Sequence, residues 1–544
     1  MGNKRFKDPI YGYIEIDEKL ITQVVDSASF QRLRDVMQTS YSPLYASAVH
    51  NRFVHSIGVY HLGCIASKAF RDNNLCSIIP DIEQYINIFE LACLLHDVGH
   101  APFSHTGEKY FLTKGERGVL HARLVELTED AVLDEEIKKN AYKAAPHELM
   151  SAIVAIEAFP QLIPVTMRSF FARCITGYKY EKEMDGAKSI LNCLIESLNS
   201  QVIDVDRLDY LIRDSYMTGF DTVKIDYIRL LDSIRIVPDE FGLYKICYYK
   251  TAVSVIENAV YAHDAERKWI QNHPIVLYEI YLLNNIFEQI MRHIFHTEVL
   301  LSKYLSHKGE KIENYGTVRL MGDSDILYLM KNLEDSSFTD EYYGRRYRKH
   351  PIWKSEAEFQ AIFLGQERQL LTIEAEINSL VTHLRSLGMP FIINDRALTE
   401  CKKDLDEHEL LLSKTSDAVE KKKLEISIVT RQQHVRFMQI WENFAKEVDV
   451  EFEFLIIHAD QFNSNFRKQE LGNLKIMLPE LHTPCKFEDI SNVLKAQKSK
   501  GDKFFFVYYT RKYEGQPIRI SNLRRQMLNF ANEIELDSES RNYK

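Results

Sequence analysis

Leu94-Leu95-His96-Asp97-Val98-Gly99-His100-Ala101-Pro102-Phe103-Ser104-His105 decides how this chain is read. It closes an apolar run in which Ile86, Phe89, Leu91, Leu94 and Leu95 recur at helical spacing. A His-Asp dipeptide is ordinarily a surface or cap pair, and a lone His in an apolar helix is ordinarily a satisfied core residue. Here the pair ends a segment that is apolar throughout, where polar groups are costly to bury without a partner such as a metal ion.

Outward from this stretch, the pattern from about residue 26 to 300 is largely helical, with Leu191, Leu194, Ile195, Leu198 and Val202 repeating the same spacing. Upstream, Phe6-Lys-Asp-Pro-Ile-Tyr-Gly-Tyr-Ile-Glu-Ile alternates around a Pro and a Gly and reads as a strand or hairpin arm. Asp17 is placed to cap a helix, and Asp26 to cap another carrying Phe30, Leu33, Val36 and Met37. The Glu-, Asp- and Lys-rich interval 113–145 reads as a solvated helical insert. Beyond residue 300 the texture changes. The basic run Arg345, Arg346, Arg348 and Lys349, like Arg519, Arg524 and Arg525, reads as a solvated face; residues 396–447 form a long charged helix pattern without a sustained heptad. Phe452 to Ile457, Leu474 to Leu478 and Phe504 to Tyr509 read as strands. The expected division is a helical catalytic domain with an N-terminal arm over 1–300, a helical and basic connecting region over 301–395, and an α+β region over 396–544.

Composition excludes several classes. Of 544 residues, 45% are hydrophobic and 11% aromatic, too many for a disordered chain, while 21 Gly and 14 Pro are too few for an all-β protein of many tight turns. The balance of 68 basic against 78 acidic residues, a net −10, argues weakly against nonspecific nucleic-acid binding. No apolar run approaches the ~18–20 residues of a membrane span. Met1 to Asp8 is charged from the start and lacks a signal-peptide core, and Phe6 stands where a myristoylation motif needs Ser or Thr. Eight scattered cysteines without a Cys-x-x-Cys pair read as reduced thiols, so a cytoplasmic location is expected.

The residues that carry chemistry are His and Asp. His55 lies in Arg52-Phe53-Val54-His55-Ser56, His96-Asp97 ends the apolar helix, and Asp206 lies in Asp204-Val205-Asp206-Arg207-Leu208-Asp209-Tyr210. Two imidazoles and two carboxylates form a mixed N/O set suited to Fe, Mn, Zn or Ni, with positions left for water and substrate oxygens.

Together with Phe30-Gln31-Arg32-Leu33-Arg34 and Asn51-Arg52-Phe53-Val54-His55-Ser56-Ile57-Gly58, these blocks resemble the HD-domain deoxynucleoside triphosphate triphosphohydrolases, nearest the branch of the sterile-alpha-motif and HD-domain enzyme. The resemblance covers roughly the first half of the chain. It implies a mainly α fold, an HD-domain helical core with a C-terminal α+β appendage. It implies that His55, His96, Asp97 and Asp206 hold a divalent metal (Mn, Fe, Zn, Ni or Mg), with additional Mg arriving on the substrate. His105 and His147 match the family's catalytic histidines, supported by Glu108 (Asp in relatives) and by Glu148 in Pro146-His147-Glu148. Arg52 matches a phosphate ligand, Gln38 and Asp214 the contacts to the sugar 3′-hydroxyl, Arg207 a phosphate-binding Lys, Tyr210 a pocket Tyr and His273 a further substrate contact. Lys4, Arg5, Asp26, Gln31 and Arg34 keep the spacing of the family's guanine-nucleotide activator site.

The implied reaction is metal-dependent hydrolysis of a dNTP to deoxynucleoside and tripolyphosphate, activated by GTP or a dNTP, in a homo-oligomer (dimer or tetramer) with no membrane partner and at most weak nucleic-acid contact. Two features depart from the family. His263 stands near an expected Arg, and Gln271 near an expected Tyr that crowds a 2′-hydroxyl, so selection of deoxyribose over ribose is open; the second effector segment, Tyr248 to Val255, matches poorly. The alternatives are an HD-type phosphohydrolase of ribonucleotides or signalling nucleotides, and a catalytically silent nucleotide- or nucleic-acid-binding scaffold.

Overall fold

A computed structural model describes residues 3–39, 44–72, 75–112, 117–200, 202–220, 223–295, 301–334, 336–345, 347–459, 468–480, 483–493, 504–511 and 518–542. The chain is mainly α-helical and divides into two compact units that interleave along the sequence. One unit comprises Met1–Gln271, Leu282–Thr339 and Phe462–Ser499; the other comprises Asn272–Tyr281, Asp340–Gln461 and Lys500–Lys544.

The first unit opens with the expected hairpin, β1 (Asn3–Asp8) against β2 (Gly12–Asp17), antiparallel from Asn3↔Asp17 to Asp8↔Gly12. Asp17 caps the following turn by accepting from the Lys19 N–H. The capping role expected of Asp26 falls instead to Ser27, whose Oγ accepts from the Phe30 N–H at 3.3 Å. Asp26 itself closes the preceding π-turn through backbone bonds to Ile21 and Val24.

Helix α1 (Arg52–Ala66) starts where the Asn51 side chain accepts from the Val54 N–H. It packs on α2 (Ile82–Leu95), which carries the apolar run. Buried Val59, Leu62, Phe89, Leu94 and Leu95 give this core its cohesion, each worth about 1.5–3 kcal/mol on burial. The helices α3 (His105–Phe111), α4 (Arg117–Thr128), α5 (Ala131–Lys139), α6 (Pro146–Ala158), α7 (Val165–Thr176), α8 (Gly186–Leu198) and α9 (Val205–Thr218) follow. The acidic interval does form helices, and it is tied down: buried Arg173 of α7 bonds Glu136 of α5 at 2.5 Å. Helix α9 is capped by Asp204, ends at Gly219 in the left-handed region, and packs on α1.

A second hairpin, β3 (Ile234–Pro238) and β4 (Tyr244–Tyr249), interrupts what the sequence reads as helix. Lys475–Met477 adds to β4 in parallel, and Cys485–Lys486 adds to that strand antiparallel. Helix α10 (Val253–Glu266) follows the hairpin.

In the second unit, His350–Pro351, Phe504–Tyr509, Glu453–Ala459 and Ile392–Asn394 form an antiparallel sheet in that order. Alongside run α11 (Glu367–Ser386), α12 (Asp395–Lys414) and α13 (Ala418–Val448), so the long charged pattern is two helices packed on each other. The basic run is not simply solvated: Arg345 and Arg348 both bond the buried carboxylate of Glu279, and Lys349 pairs with Glu453 at 3.1 Å. Arg346 lies outside the described residues.

Candidate metal centre and its histidine neighbours

Four side chains from three helices converge. His55 comes from α1, His96 and Asp97 from the end of α2, and Asp206 from the first turn of α9. His55 Nε2 lies 3.3 Å from His96 Nε2, 3.6 Å from Asp97 Oδ2 and 3.0 Å from Asp206 Oδ1. His96 Nε2 lies 3.5 Å from Asp97 Oδ2 and 3.7 Å from Asp206 Oδ1. Ligand atoms about 2.1 Å from one ion stand about 3.0–3.4 Å apart. These spacings are close to the edges of such a coordination shell, and the donor set suits a divalent metal. Both imidazoles are buried, whereas the Asp206 side chain is 41% exposed, so the cluster opens to solvent on one side.

The tautomers are fixed from behind. His96 Nδ1–H donates to the Cys93 carbonyl at 3.0 Å, and His55 Nδ1–H donates to Asp209 Oδ2 at 2.7 Å. Burial works against charge on His55, but the hydrogen bonds to Asp206 and Asp209 carry it up to about 9. Burial likewise opposes the Asp97 carboxylate, while Arg52, His96 and His55 hold it well below the usual range. His55 thus faces negative charge from Asp206 and Asp209, whereas Asp97 faces positive charge from Arg52 and the imidazoles.

Asp209 received no role from the sequence, yet it anchors the region. Arg213 donates to its two oxygens at 2.8 and 2.9 Å, and the Tyr11 hydroxyl donates to Oδ1 at 2.8 Å. Arg213 also reaches Asp8 of β1 at 2.9 Å. Gly58 makes room for it: a Cβ there would stand 1.9 Å from Asp209 Oδ1. The signal was present in the sequence, because Asp206, Asp209 and Arg213 lie at helical i, i+3, i+7 spacing. Outer partners of this kind orient a metal-ligating histidine.

Beside the cluster, Glu108 Oε2 bridges His105 Nδ1 at 3.1 Å and His147 Nδ1 at 3.0 Å. Burial lowers His147, but the Glu108 carboxylate more than offsets it and lifts the imidazole to about 9. The same pairing, against burial, keeps Glu108 well below the carboxylate range. His105 is 68% exposed and starts α3 directly after Phe103 and Ser104, which hold φ of 56° and 51°. Two successive non-glycine residues in the left-handed region mark strained backbone. His100, fully buried, stacks on His147 at 4.3 Å. Glu148, in the first turn of α6, faces elsewhere, accepting from the Ala145 N–H and from the Asn199 amide.

Arg52 links the two groups, donating to Asp97 Oδ2 at 2.7 Å and to Ser104 Oγ at 2.9 Å. Gln38 is buried near it, and its Oε1 has no hydrogen-bond partner among the described residues. Asp214 is buried against His50 at 2.7 Å, and Glu266, which faces the Asp214 charge, accepts from the Gln271 amide at 2.8 Å. Burial and the Asp214 charge push Glu266 well above the carboxylate range. Arg207 donates to the Val202 carbonyl at 2.8 Å and hydrogen-bonds Tyr210. His273 belongs to the other compact unit, where its Nδ1 accepts from the Ile275 N–H. In the N-terminal arm, Arg5 pairs with Glu15 at 2.7 Å, Lys4 is exposed on β1, and Arg34 donates to Gln31 Oε1 at 2.9 Å while covering the Phe53 ring.

Comparison with known proteins agrees with this geometry. Residues 52–191 match the model of the HD domain. Over 260 residues the chain is 31% identical to an uncharacterized protein of Mycoplasma genitalium, covering 46% of this chain and 52% of that one. It is 32% identical over 266 residues to deoxynucleoside triphosphate triphosphohydrolase SAMHD1 of Mus musculus, covering 47% of this chain and 37% of that protein. The chain spans about half the length of the first curated relatives it matches. Its fold is shared with a hypothetical protein from Aquifex aeolicus at TM-score 0.54 and 18% identity, over 97% of this chain and 100% of that one. A phosphohydrolase from Bacteroides thetaiotaomicron has the same fold at TM-score 0.53 and 18% identity, over 93% of this chain and 100% of that one. Segments 52–66 and 82–97, with the helices that follow them, lie within the stretch that matches the HD domain.

Proposed function

We propose that this chain is a metal-dependent triphosphohydrolase that converts dNTPs to deoxynucleoside and tripolyphosphate. The observation that carries this reading is the facing of His55, His96, Asp97 and Asp206 beside a Glu108-bridged histidine pair, with Arg52 spanning the two. His55, His96, Asp97 and Asp206 would hold the divalent metal (Mn, Fe, Zn, Ni or Mg). When bound, such a metal supplies Lewis-acid and nucleophile-generating chemistry.

The chain's own residues do the rest. Arg52, locked by Asp97 and Ser104, turns its remaining N–H edge to phosphate oxygens, and Arg207 adds a second cation. His147 carries a proton through neutral pH because Glu108 faces it. His147 is therefore the group that can protonate the departing 5′-oxygen, and His105, oriented by that same carboxylate, stands exposed beside it. Gln38 and Asp214 take the sugar 3′-hydroxyl, the orphaned Gln38 Oε1 being suited to that contact. Glu148, bonded to its own helix start, supports His147 through that helix.

Activation by GTP or a dNTP at Lys4, Arg5, Asp26, Gln31 and Arg34, assembly into a dimer or tetramer, and a cytoplasmic location complete the reading. A second reading, in which ribonucleotides are also accepted, is favoured by Gln271: it binds Glu266 near the position where the family resemblance leads one to expect a Tyr against the 2′-hydroxyl. One experiment tests both. The purified chain is incubated with each dNTP and NTP in Mn, Mg or Fe, and products are separated by chromatography. Nucleoside plus tripolyphosphate from dNTPs, abolished by Asp97→Ala, is the expected result; release of monophosphate or orthophosphate alone overturns it. Stimulation by GTP that is lost in Asp26→Ala checks the activator site.

A further inference from the structure

The second unit holds a half-buried polar chain that the HD chemistry does not use. Ser379 and His383 project from α11, Asp404 from α12 and His434 from α13. Ser379 Oγ lies 2.8 Å from His434 Nε2, His434 Nδ1 lies 2.8 Å from His383 Nδ1, and His383 Nε2 lies 2.9 Å from Asp404 Oδ2. Both imidazoles are buried, His434 to 2% exposure. Ser379, Thr382, Thr430 and Arg431, together with both histidines, line a shallow cavity of about 490 Å³ that is open to solvent over most of its extent.

The direction of this chain follows from its end. Asp404 accepts from Arg431 and is ionised, its carboxyl kept low against burial by His383 and Arg431, so it only accepts. His383 Nε2 therefore carries the hydrogen, which leaves its Nδ1 as an acceptor for His434 Nδ1–H. That in turn leaves His434 Nε2 with its lone pair toward the Ser379 hydroxyl. Burial, with His383 and Arg431 beside it, pushes His434 down to about 4, so at neutral pH it is uncharged and its Nε2 lone pair faces the serine. A nucleophile, a base and groups that orient the base, in hydrogen-bond sequence at a cavity wall, meet the geometric criterion for an activated serine. An apolar packing of these three helices would cost less than burying the two imidazoles without a use.

We propose that this cavity is a second reactive site, in which Ser379 is an acyl-accepting nucleophile, His434 its base, and His383 and Asp404 positioning residues, with a small polar acyl ester as substrate class. In the first step Ser379 Oγ bonds the ester carbonyl carbon, the carbon–alkoxide bond breaks, and the serine proton passes through His434 to the departing alcohol. Water then reverses these roles: its oxygen bonds the acyl carbon, the Oγ–carbon bond breaks, and the proton returns to Ser379. No oxidant or reductant is needed. The site stands independently of the nucleotide reading.

The test uses the full chain with a chelator present and no nucleotide, so that metal chemistry is silent. The protein is treated with a fluorophosphonate, which displaces fluoride as Oγ bonds phosphorus, and separately with p-nitrophenyl acetate; adducts are located by mass spectrometry. The expected result is one adduct on Ser379, absent in Ser379→Ala and formed about 10²-fold more slowly in His434→Gln, the scale of lost base catalysis. Thermal unfolding of both variants is followed in parallel, and the rate comparison is made on folded protein. No adduct, an adduct on another residue, or an undiminished rate in folded His434→Gln overturns the proposal.

Discussion

Two histidine–carboxylate clusters stand side by side in the first unit, and they are built on opposite principles. Around His55 and His96, two imidazole nitrogens face each other across 3.3 Å with carboxylates on either side, an arrangement that asks for a shared cation. Around Glu108, one carboxylate serves two imidazoles, and the charge it calls for is a proton. The first cluster rests on helices pinned by Asp209; the second includes an exposed His105 on strained backbone. A fixed site for a metal beside a site that moves a proton is the division of labour a hydrolase needs.

The largest effect is expected from breaking the first cluster. Asp97→Ala should abolish metal uptake and lower turnover by about 10³-fold or more, the several kcal/mol of Lewis-acid stabilisation. Metal content by elemental analysis alongside product release checks it. Retained metal with lost activity would show that Asp97 serves the reaction another way.

Breaking the second cluster should spare the metal and move the pH profile. His147 rises from its ordinary 6.5 to about 9 when folded, so the stability it contributes is full below about 6.5 and fades as pH climbs through 9. Glu108 is depressed, so its contribution is full above its ordinary 4.5 and is lost as pH falls. Glu108→Gln removes the largest raising influence and leaves the burial penalty opposed by Glu148 and Asp97, so His147 falls. The alkaline limb of activity should move from near pH 9 to lower pH, with turnover at pH 8 down by about 10²-fold. A pH–rate profile at saturating metal decides this; an unmoved limb would separate His147 from proton transfer.

How the two clusters appear in sequence also differs. The His96–Asp97 pair and its apolar helix were legible because helical periodicity is local, and so were the hairpin of β1 with β2 and the strand Phe504–Tyr509. What escaped was non-local. The bond from Asp209 to His55 spans α9 and α1, and Lys475–Met477 was visible as a strand while its pairing with β4 was not. Asp26 was misread because the neighbouring Ser27 is an equally good cap, and only the backbone angles choose between them. The hairpin of β3 with β4 was missed although Asp239 and Gly242 mark its turn, since the apolar residues around it also fit a helix. Arg345 and Arg348 read as solvated because Glu279, their buried partner, lies more than sixty positions upstream.

The support behind His55 supplies the intermediate effect. Asp209→Asn keeps the shape but removes the charge that Arg213 and His55 share. Metal affinity, measured by competition with a chromophoric chelator, should fall by about 10–100-fold, with the pH profile set by His147 unchanged. A shifted profile would mean the two clusters are not independent.

The smallest effect tests how far that support reaches. Tyr11 sits in the turn that joins β1 to β2 and donates one hydrogen bond to Asp209, while Arg213 continues to hold both carboxylate oxygens. Tyr11→Phe removes one buried donor and leaves Asp209 two strong partners, so the loss should be about 1–1.5 kcal/mol of stability and only a few-fold in metal affinity. Chemical denaturation reads the first quantity and chelator competition the second. Because Tyr11 and Asp8 are the hairpin's connection to Asp209, an affinity loss as large as that of Asp209→Asn would make the N-terminal hairpin part of the metal site, and the contrast between a pinned cluster and an exposed one would then extend to the arm that carries Lys4 and Arg5.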